Sequence, residues 1–334
     1  MLKMFLFRSE QSKSWLALLK YLSCLVASCY FTPAQAEINS VSLLQDLTEL
    51  ASPAMAGRAT ASAGNEKARY YILQRLQQIG VKPCLQDYLQ EFEFKKAGQA
   101  IQGHNVLACL PAAAEHQASA PALLLSAHYD HLGLRAGKVH PGADDNASGV
   151  AALLALAEEL QRQPLQRPVI LAFFDAEELG LEGAWAYVRQ PDFKPAQLAL
   201  MVNLDMIGRG DKGELYASGS YHYPQLQPLL SQLAASSTLP RLRLGHDRPE
   251  QGQDDWTQQS DHYPFFNKGV PYLYFGVEDH ADYHGPGDTA DKIPADFYLA
   301  TVQLLQRLSY QLDTELATGQ LKFGASAATM PESK

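Results

Sequence analysis

Hydrophobic and polar positions along this chain follow two periods. Residues 41–50 carry apolar side chains at helical spacing. So do residues 65–79, where Tyr71, Ile72, Leu76 and Ile79 line one face and Gly80 stops the helix. Between them, 51–64 is rich in Ala, Ser, Thr, Pro and Gly and reads as a loop. Residues 81–94 and 104–110 read as two strands. From 122 onward, short and nearly unbroken apolar runs alternate with helical segments. Strands are predicted at 122–127, 168–174, 199–204, 214–217 and 270–275, and helices at 148–161, through 185–189, and at 225–235 and 295–312. Unbroken apolar strands are those buried on both faces. Their alternation with helices predicts an α/β fold: a single domain on a mostly parallel, mixed sheet with helices on both faces. That domain is expected at 37–314, with 315–334 as a loose tail.

Composition adds bounds to this picture. The chain has 334 residues, 46% apolar and 19% charged, with a net charge of −9. It has no Lys/Arg run and no basic stripe, which argues against a nucleic-acid partner. Residues 1–36 read as a signal peptide rather than as fold. Lys3, Arg8, Lys13 and Lys20 make a basic region, 21–31 an apolar core, and Ala34-Gln35-Ala36 a small-x-small cleavage site. The apolar core is shorter than the roughly 20 residues a membrane span needs, so no stable insertion is expected after cleavage. The expected location is periplasmic or secreted. The alternative is lipid anchoring through Cys29, because Val26-Ala27-Ser28-Cys29 resembles a lipoprotein processing site. Outside this leader the cysteines are Cys84 and Cys109, either paired in an oxidising compartment or two buried thiols.

The chemistry lies where the strands end. The stretch 126–149 packs His128, Asp130, His131, Asp144 and Asp145 between a predicted strand and a predicted helix. His128, Asp130, Glu177, Glu178, Asp205 and His284 each fall at or just past a strand's carboxyl end, and Asp145 just before a helix. Ligands of open α/β sheets bind outside those ends. Carboxylates and imidazoles without thiolates suit a catalytic zinc site, and one carboxylate can be shared by two ions. No G-x-S-x-G elbow supports a serine nucleophile.

Five motifs then carry a resemblance: His128-x-Asp130; Gly142-Ala143-Asp144-Asp145-Asn146-x-Ser148-Gly149; Glu177-Glu178-x-Gly180; Asn203-x-Asp205-Met206; and Tyr283-His284-x-x-x-Asp288-Thr289. Together they resemble the M28 family of co-catalytic zinc peptidases, the bacterial leucyl-type aminopeptidases and their relatives, over nearly all of the chain after the leader. The resemblance implies a zinc-dependent exopeptidase fold holding two zinc ions. Asp145 would bridge them, His128 and Asp205 would complete one, and Glu178 and His284 the other. It implies that Asp130 orients His128, that Glu177 is the general base toward a metal-bridged hydroxide, and that Tyr283 holds the oxyanion. It also implies a cis peptide at Asp145–Asn146. Asp144, His131, His140 and His280 match no family ligand and are read as neighbours.

The function expected is an aminopeptidase acting on peptide substrates. An M28-like carboxypeptidase or a one-zinc glutaminyl cyclase is the alternative within the family, and a non-catalytic binding module the alternative outside it. Residues 241–259 are expected to wall the specificity pocket, with His246, Asp254, Asp255 and Trp256 as substrate contacts. Ser260-Asp261-His262 is expected to hydrogen-bond and cap a helix beside the pocket.

Overall fold

The side chain of Asn39 accepts hydrogen bonds from the Val41 and Ser42 amides and starts the first helix, α1 (Ser40–Leu50). Ser62 does the same for α2 (Ala63–Ile79), which Gly80 ends in the left-handed conformation. This is a computed structural model, and it describes residues 37–113 and 118–323. The expected leader, its cleavage site and Cys29 lie outside the described residues, as does the end of the tail from 324 on.

A two-residue strand, β1 (Lys82–Pro83), follows, and then a hairpin of β2 (Leu89–Lys96) and β3 (Gln99–Leu110). Ala97 and Gly98 turn it with φ of 51° and 81°, as a two-residue hairpin loop requires. β3 begins five residues earlier than the apolar pattern suggests, because its first half is an exposed hairpin arm with little hydrophobic signal. Next come β4 (Ala122–His128), the small hairpin β5 (Gly133–Arg135) and β6 (Lys138–His140), and an irregular turn that opens α3 (Gly149–Arg162). Then follow β7 (Val169–Phe174), α4 (Glu182–Val188), β8 (Leu198–Leu204), β9 (Glu214–Ser218), α5 (Gln227–Ser236), β10 (Arg241–Leu244), α6 (His262–Asn267), β11 (Tyr272–Gly276) and α7 (Ala295–Thr318).

Among the described residues, nine strands share one sheet in the order β1-β3-β7-β4-β8-β11-β9-β10, with β2 paired to the outer length of β3. Strands β7, β4, β8 and β11 are parallel and central, while the β3–β7 and β11–β9 pairings are antiparallel. β4 is buried along its whole length. Helices α1, α2, α3 and α7 cover one face, and α4 and α6 pack on the other. The chain leaves β4, crosses to β7 on one side and returns to β8 on the other. The switch point lies between the carboxyl ends of β4 and β8, where such sheets open a crevice.

Two more elements depart from the sequence reading, and one question it left open is answered. Residues 241–244, where no strand is expected, form β10, parallel to β9. The domain does not end at 314: α7 runs to Thr318, Leu321 is buried and the Phe323 ring packs edge-on against Tyr223. The cysteines are paired, with Cys84 joined to Cys109 at an S–S distance of 2.09 Å. The bridge closes a loop of 25 residues, for which the loss of unfolded-chain entropy is worth about 3 kcal/mol. A double Cys84→Ser, Cys109→Ser variant is expected to lose about that much stability in denaturant unfolding. A loss below about 0.5 kcal/mol would show that the bridge does not stabilise this fold.

Candidate metal centre

Four strands and one turn deliver the expected residues to a single rim. His128 is the last residue of β4, Asp205 follows β8, and Glu177 and Glu178 lie on the loop after β7. Tyr283 and His284 lie on the loop after β11, and Asp145 sits in the turn before α3. They converge closely. His128 Nε2 is 3.1 Å from Asp205 Oδ1 and 3.3 Å from Asp145 Oδ1. On the other side, His284 Nε2 is 3.1 Å from Asp145 Oδ2 and 3.5 Å from Glu178 Oε2. Asp145 therefore turns one carboxylate oxygen to each side. A cleft of about 500 Å³ opens above these groups, bordered also by Leu181, Trp185, Met206, Gln258, Gln259, Tyr263 and Tyr283. A larger cavity of about 1010 Å³ lies at the amino ends of the strands, beside Pro121, Leu198 and Pro271, and none of the clustered carboxylates lines it.

The turn that carries Asp145 is held from all sides. Asp288 accepts the Asp144 amide at 3.0 Å and the Asp145 amide at 3.1 Å. Asp144 Oδ1 accepts the Gly208 and Arg209 amides beyond β8. Asn146 donates to the Leu204 carbonyl and accepts from Gly149. Gly149 is needed for that approach, since a Cβ there would sit 2.3 Å from Asn146 Oδ1 and 2.5 Å from the Leu204 carbonyl oxygen. The Asp145–Asn146 peptide is cis, as the family resemblance implies. Asp144 is thus a structural neighbour, as expected.

Asp130 does more than face His128. Its carboxylate accepts the Glu177 amide at 3.0 Å and the Glu178 amide at 3.4 Å, so it aims the loop that bears both glutamates. His128 Nδ1 lies 3.2 Å from the Asp130 carbonyl and 3.7 Å from its carboxylate, so the backbone oxygen is the closer partner. Asp205 is fixed by Ser260 Oγ at 2.7 Å. Ser260 in turn accepts from Asn203, whose other amide atom accepts from Ser126. This chain of hydrogen bonds runs from the sheet core to the site.

Arg58 gave no signal among the small residues of its loop. It is buried, and its guanidinium donates to the carbonyls of Leu50, Tyr129, Pro141 and Gly142. It ties the exit of β4 to the turn bearing Asp145. Burial pushes its pKa down to about 10 against the pull of Asp145, Asp288, Asp130 and Glu178, so it stays charged at neutral pH.

The electrostatics are those of a site short of positive charge. Burial works to raise the Asp145 carboxyl, yet the imidazoles of His131, His128 and His284 hold it well below the usual carboxylate range. Burial opposes protonation of His128, and Asp205, Glu177, Asp130 and Asp145 override it. Glu177 is pushed well above its ordinary value by burial and by Asp205, Asp261 and Glu178, with His128 opposing. Asp261, buried near them, has no hydrogen-bond partner for either oxygen. It does not cap α6, and the hydrogen bond expected of its segment comes from Ser260 instead.

Among the described residues, two groups could hold a cation: His128, Asp145 and Asp205, and His131, Asp145 and Glu178, each with donor atoms within 4.8 Å of one another. A tetrahedral zinc with nitrogen and oxygen bonds of 2.0–2.1 Å keeps its ligand atoms about 3.3 Å apart, so separations of 3.1–3.5 Å around His128 and His284 suit it. His131 is the surprise, for the sequence reading set it aside. The expected substrate contacts also shift. His246 stacks on Trp256 at 3.7 Å, Asp255 caps the turn that follows it, and Gln258 and Gln259 are the residues of this segment that reach the cleft.

A parallel-centred α/β sheet with buried carboxylates and imidazoles at its carboxyl rim is the architecture of a metal-dependent hydrolase. The family model described as Peptidase family M28 matches residues 105–308. The chain therefore belongs to peptidase family M28. Among curated relatives, leupeptin-inactivating enzyme 1 of Streptomyces exfoliatus is 28% identical over 70% of this chain and 48% of its own length. A vacuolar membrane protease of Candida tropicalis is 33% identical over 48% of this chain and 17% of its own length. The chain thus spans from about a sixth to half of these relatives. Among solved structures, a zinc aminopeptidase from Bacillus subtilis matches with a TM-score of 0.68 and 15% identity, over 82% of this chain and 95% of that one. Porphyromonas gingivalis glutaminyl cyclase matches with a TM-score of 0.66 and 21% identity, over 83% and 100%. At these identities the likeness is one of fold.

Losing the Arg58 hydrogen bonds would take that donor from the Leu50, Tyr129 and Pro141 carbonyls beside uncompensated carboxylates, while the Gly142 carbonyl keeps the Ala147 amide. Arg58→Met is expected to cost about 3–5 kcal/mol in unfolding of the metal-free protein, with Arg58→Lys recovering only part. A cost below about 1 kcal/mol would show that those carbonyls find other partners.

Proposed function

We propose that this chain is a two-zinc exopeptidase that removes N-terminal residues from peptides. The observation that carries the reading is the split carboxylate of Asp145, one oxygen facing His128 and the other facing His284 and His131. A one-ion site has no use for such a division. His128, Asp145 and Asp205 would hold one zinc, and Asp145, Glu178 and His284 the other. Zinc held there supplies Lewis acidity toward a water and toward the scissile carbonyl. The remaining steps belong to the protein. Glu177 takes the water's proton on its carboxylate and passes it to the leaving amine. Its raised pKa in the metal-free site suits a group that must carry a proton, and the positive charge of a bound ion would draw that pKa back down. The Tyr283 hydroxyl, at the cleft wall, donates to the carbonyl oxygen as it gains charge.

The cleft's volume of about 500 Å³ and its aromatic walls of Trp185, Tyr263 and Tyr283 support binding of a chain end over a continuous polypeptide. The Cys84–Cys109 bridge supports export to an oxidising compartment, in keeping with the leader. Among the described residues, no helix is long and apolar enough to cross a membrane.

Glu177→Gln is expected to keep its zinc and to lose hydrolysis by several orders of magnitude, as removal of a metallohydrolase base does. Activity within about tenfold of wild type would remove Glu177 from that role. A panel of aminoacyl, carboxy-terminal and N-terminal glutaminyl substrates, each with a chelator control, tests the reaction itself. Release of N-terminal residues is the expected result. Cleavage only of N-terminally blocked peptides, or cyclisation of glutaminyl ends with one zinc per chain, would replace the aminopeptidase reading.

A further inference from the structure

We propose that His131 is a zinc ligand, joining Asp145 and Glu178 at the second metal position, with His284 closing that position from the solvent side. The inference rests on the two-zinc reading above and assigns a donor outside the five ligands given there.

His131 is buried, its side chain has no exposure, and neither ring nitrogen has a hydrogen-bond partner. A neutral imidazole carries one donor and one acceptor, and buried polar atoms are rarely left unpaired. Nδ1 nevertheless lies 2.8 Å from Glu178 Oε1 and 3.6 Å from Asp145 Oδ2. Glu178 Oε1 is likewise without a partner. Two polar atoms this close and still unpaired are aimed at a common third point rather than at each other. Opening their separation by a few tenths of an ångström gives the about 3.3 Å spacing of ligands around zinc.

The ring is seated on purpose-built backbone. The His131 amide donates to the Arg58 carbonyl at 3.3 Å. Gly142, at φ 59°, lets the ring pass, since a Cβ there would sit 2.5 Å from its Cδ2. With His131 included, the two positions become alike. Each has one buried imidazole, one carboxylate of its own and one oxygen of Asp145. Without it, the second ion would depend for its imidazole on His284, whose side chain is 41% exposed on a loop. With it, His284 is the solvent-side ligand of a position that a buried imidazole already anchors.

The test is a metal count and a ligand count on the full chain freed of its leader. X-ray absorption of the wild-type enzyme loaded with two zinc ions is expected to show three imidazoles shared by two ions. Two imidazoles would overturn the proposal. His131→Phe keeps the ring's bulk and removes both donors; His131→Gln is measured beside it so that a folding defect in one does not decide the result. After dialysis against a chelator buffer, both are expected to keep the ion held by His128, Asp145 and Asp205. Both should bind the second at least 100-fold more weakly, with a changed visible spectrum in the cobalt-substituted protein. Two ions bound within threefold of wild-type affinity and an unaltered cobalt spectrum would overturn the ligand role and leave His131 as a neighbour of Glu178. Wild-type protein that takes up fewer than two zinc ions would instead overturn the two-zinc reading, and the proposal with it.

Discussion

Buried negative charge is the constraint on which this structure turns. Asp130, Asp144, Asp145, Asp175, Asp205, Asp261 and Asp288 are all buried, and Glu177 and Glu178 are partly so. Carboxylates withdrawn from water are costly unless paired, bonded by amides or set against a cation. The fold uses each means where it can. Asp144, Asp288 and Asp130 are met by backbone amides. Asp175 accepts from Asn65, Thr60 and the His104 and Ala176 amides, yet burial beside Asp130 still pushes its pKa up to about 6. Arg58 is the buried cation that faces the cluster. What these partners leave over is Asp145, Glu177, Glu178 and the unpartnered Asp261, with Asp205 held by the Ser260 hydroxyl and facing His128. The result is a negatively charged site whose donor atoms could hold a cation.

The sheet makes that arrangement possible by geometry. Residues at the ends of adjacent parallel strands face one rim, and the crossover that takes the chain from β7 past β4 to β8 opens a gap there. His128 and Asp205 end neighbouring strands, paired in register two residues earlier at Ser126 and Asn203. The same register places Ser126 Oγ against Asn203, which extends the sheet's order through Ser260 to Asp205. The placement of His128 and Asp205 is thus set by strand pairing rather than by loop conformation, which keeps their donor atoms close to the spacing an ion needs.

Much of this was legible in the sequence because its periods are strong. Strands buried on both faces, such as β4 and β8, announce themselves as apolar runs, and the polar residues that end them stand out. The weak points were elements with no such signal. The arm of β3 and the short strand β10 lie at the sheet's margins, where exposed polar side chains are allowed. The Cys84–Cys109 pair could not be decided from two apolar segments of unknown register; Lys82 opposite Cys109 and Pro83 opposite Ala108 in the β1–β3 pairing settle it. Arg58 and Asp175 escaped notice for another reason. Their roles depend on burial, and an Arg in a small-residue loop or an Asp at a strand end reads as solvent-exposed until the fold closes over it.

His131 shows where motif reading and physical reading part. A motif assigns a role by position, and position marks His128 and Asp130 but passes over the next residue. Burial assigns a role by need. An imidazole sealed from water beside two carboxylates must be satisfied by something, and neither of its nitrogens makes a hydrogen bond among the described residues, although Nδ1 lies 2.8 Å from Glu178 Oε1. The strand exit from His128 to His131 then carries a donor for one ion, the carboxylate that aims both glutamates, and a donor for the other ion, within four consecutive residues. Such density is possible because the chain leaves the sheet there and stops alternating strictly from face to face. Arg58 holds that exit in place through the Tyr129 carbonyl. The same guanidinium that offsets the cluster's charge therefore also sets the path of the backbone that carries its donors.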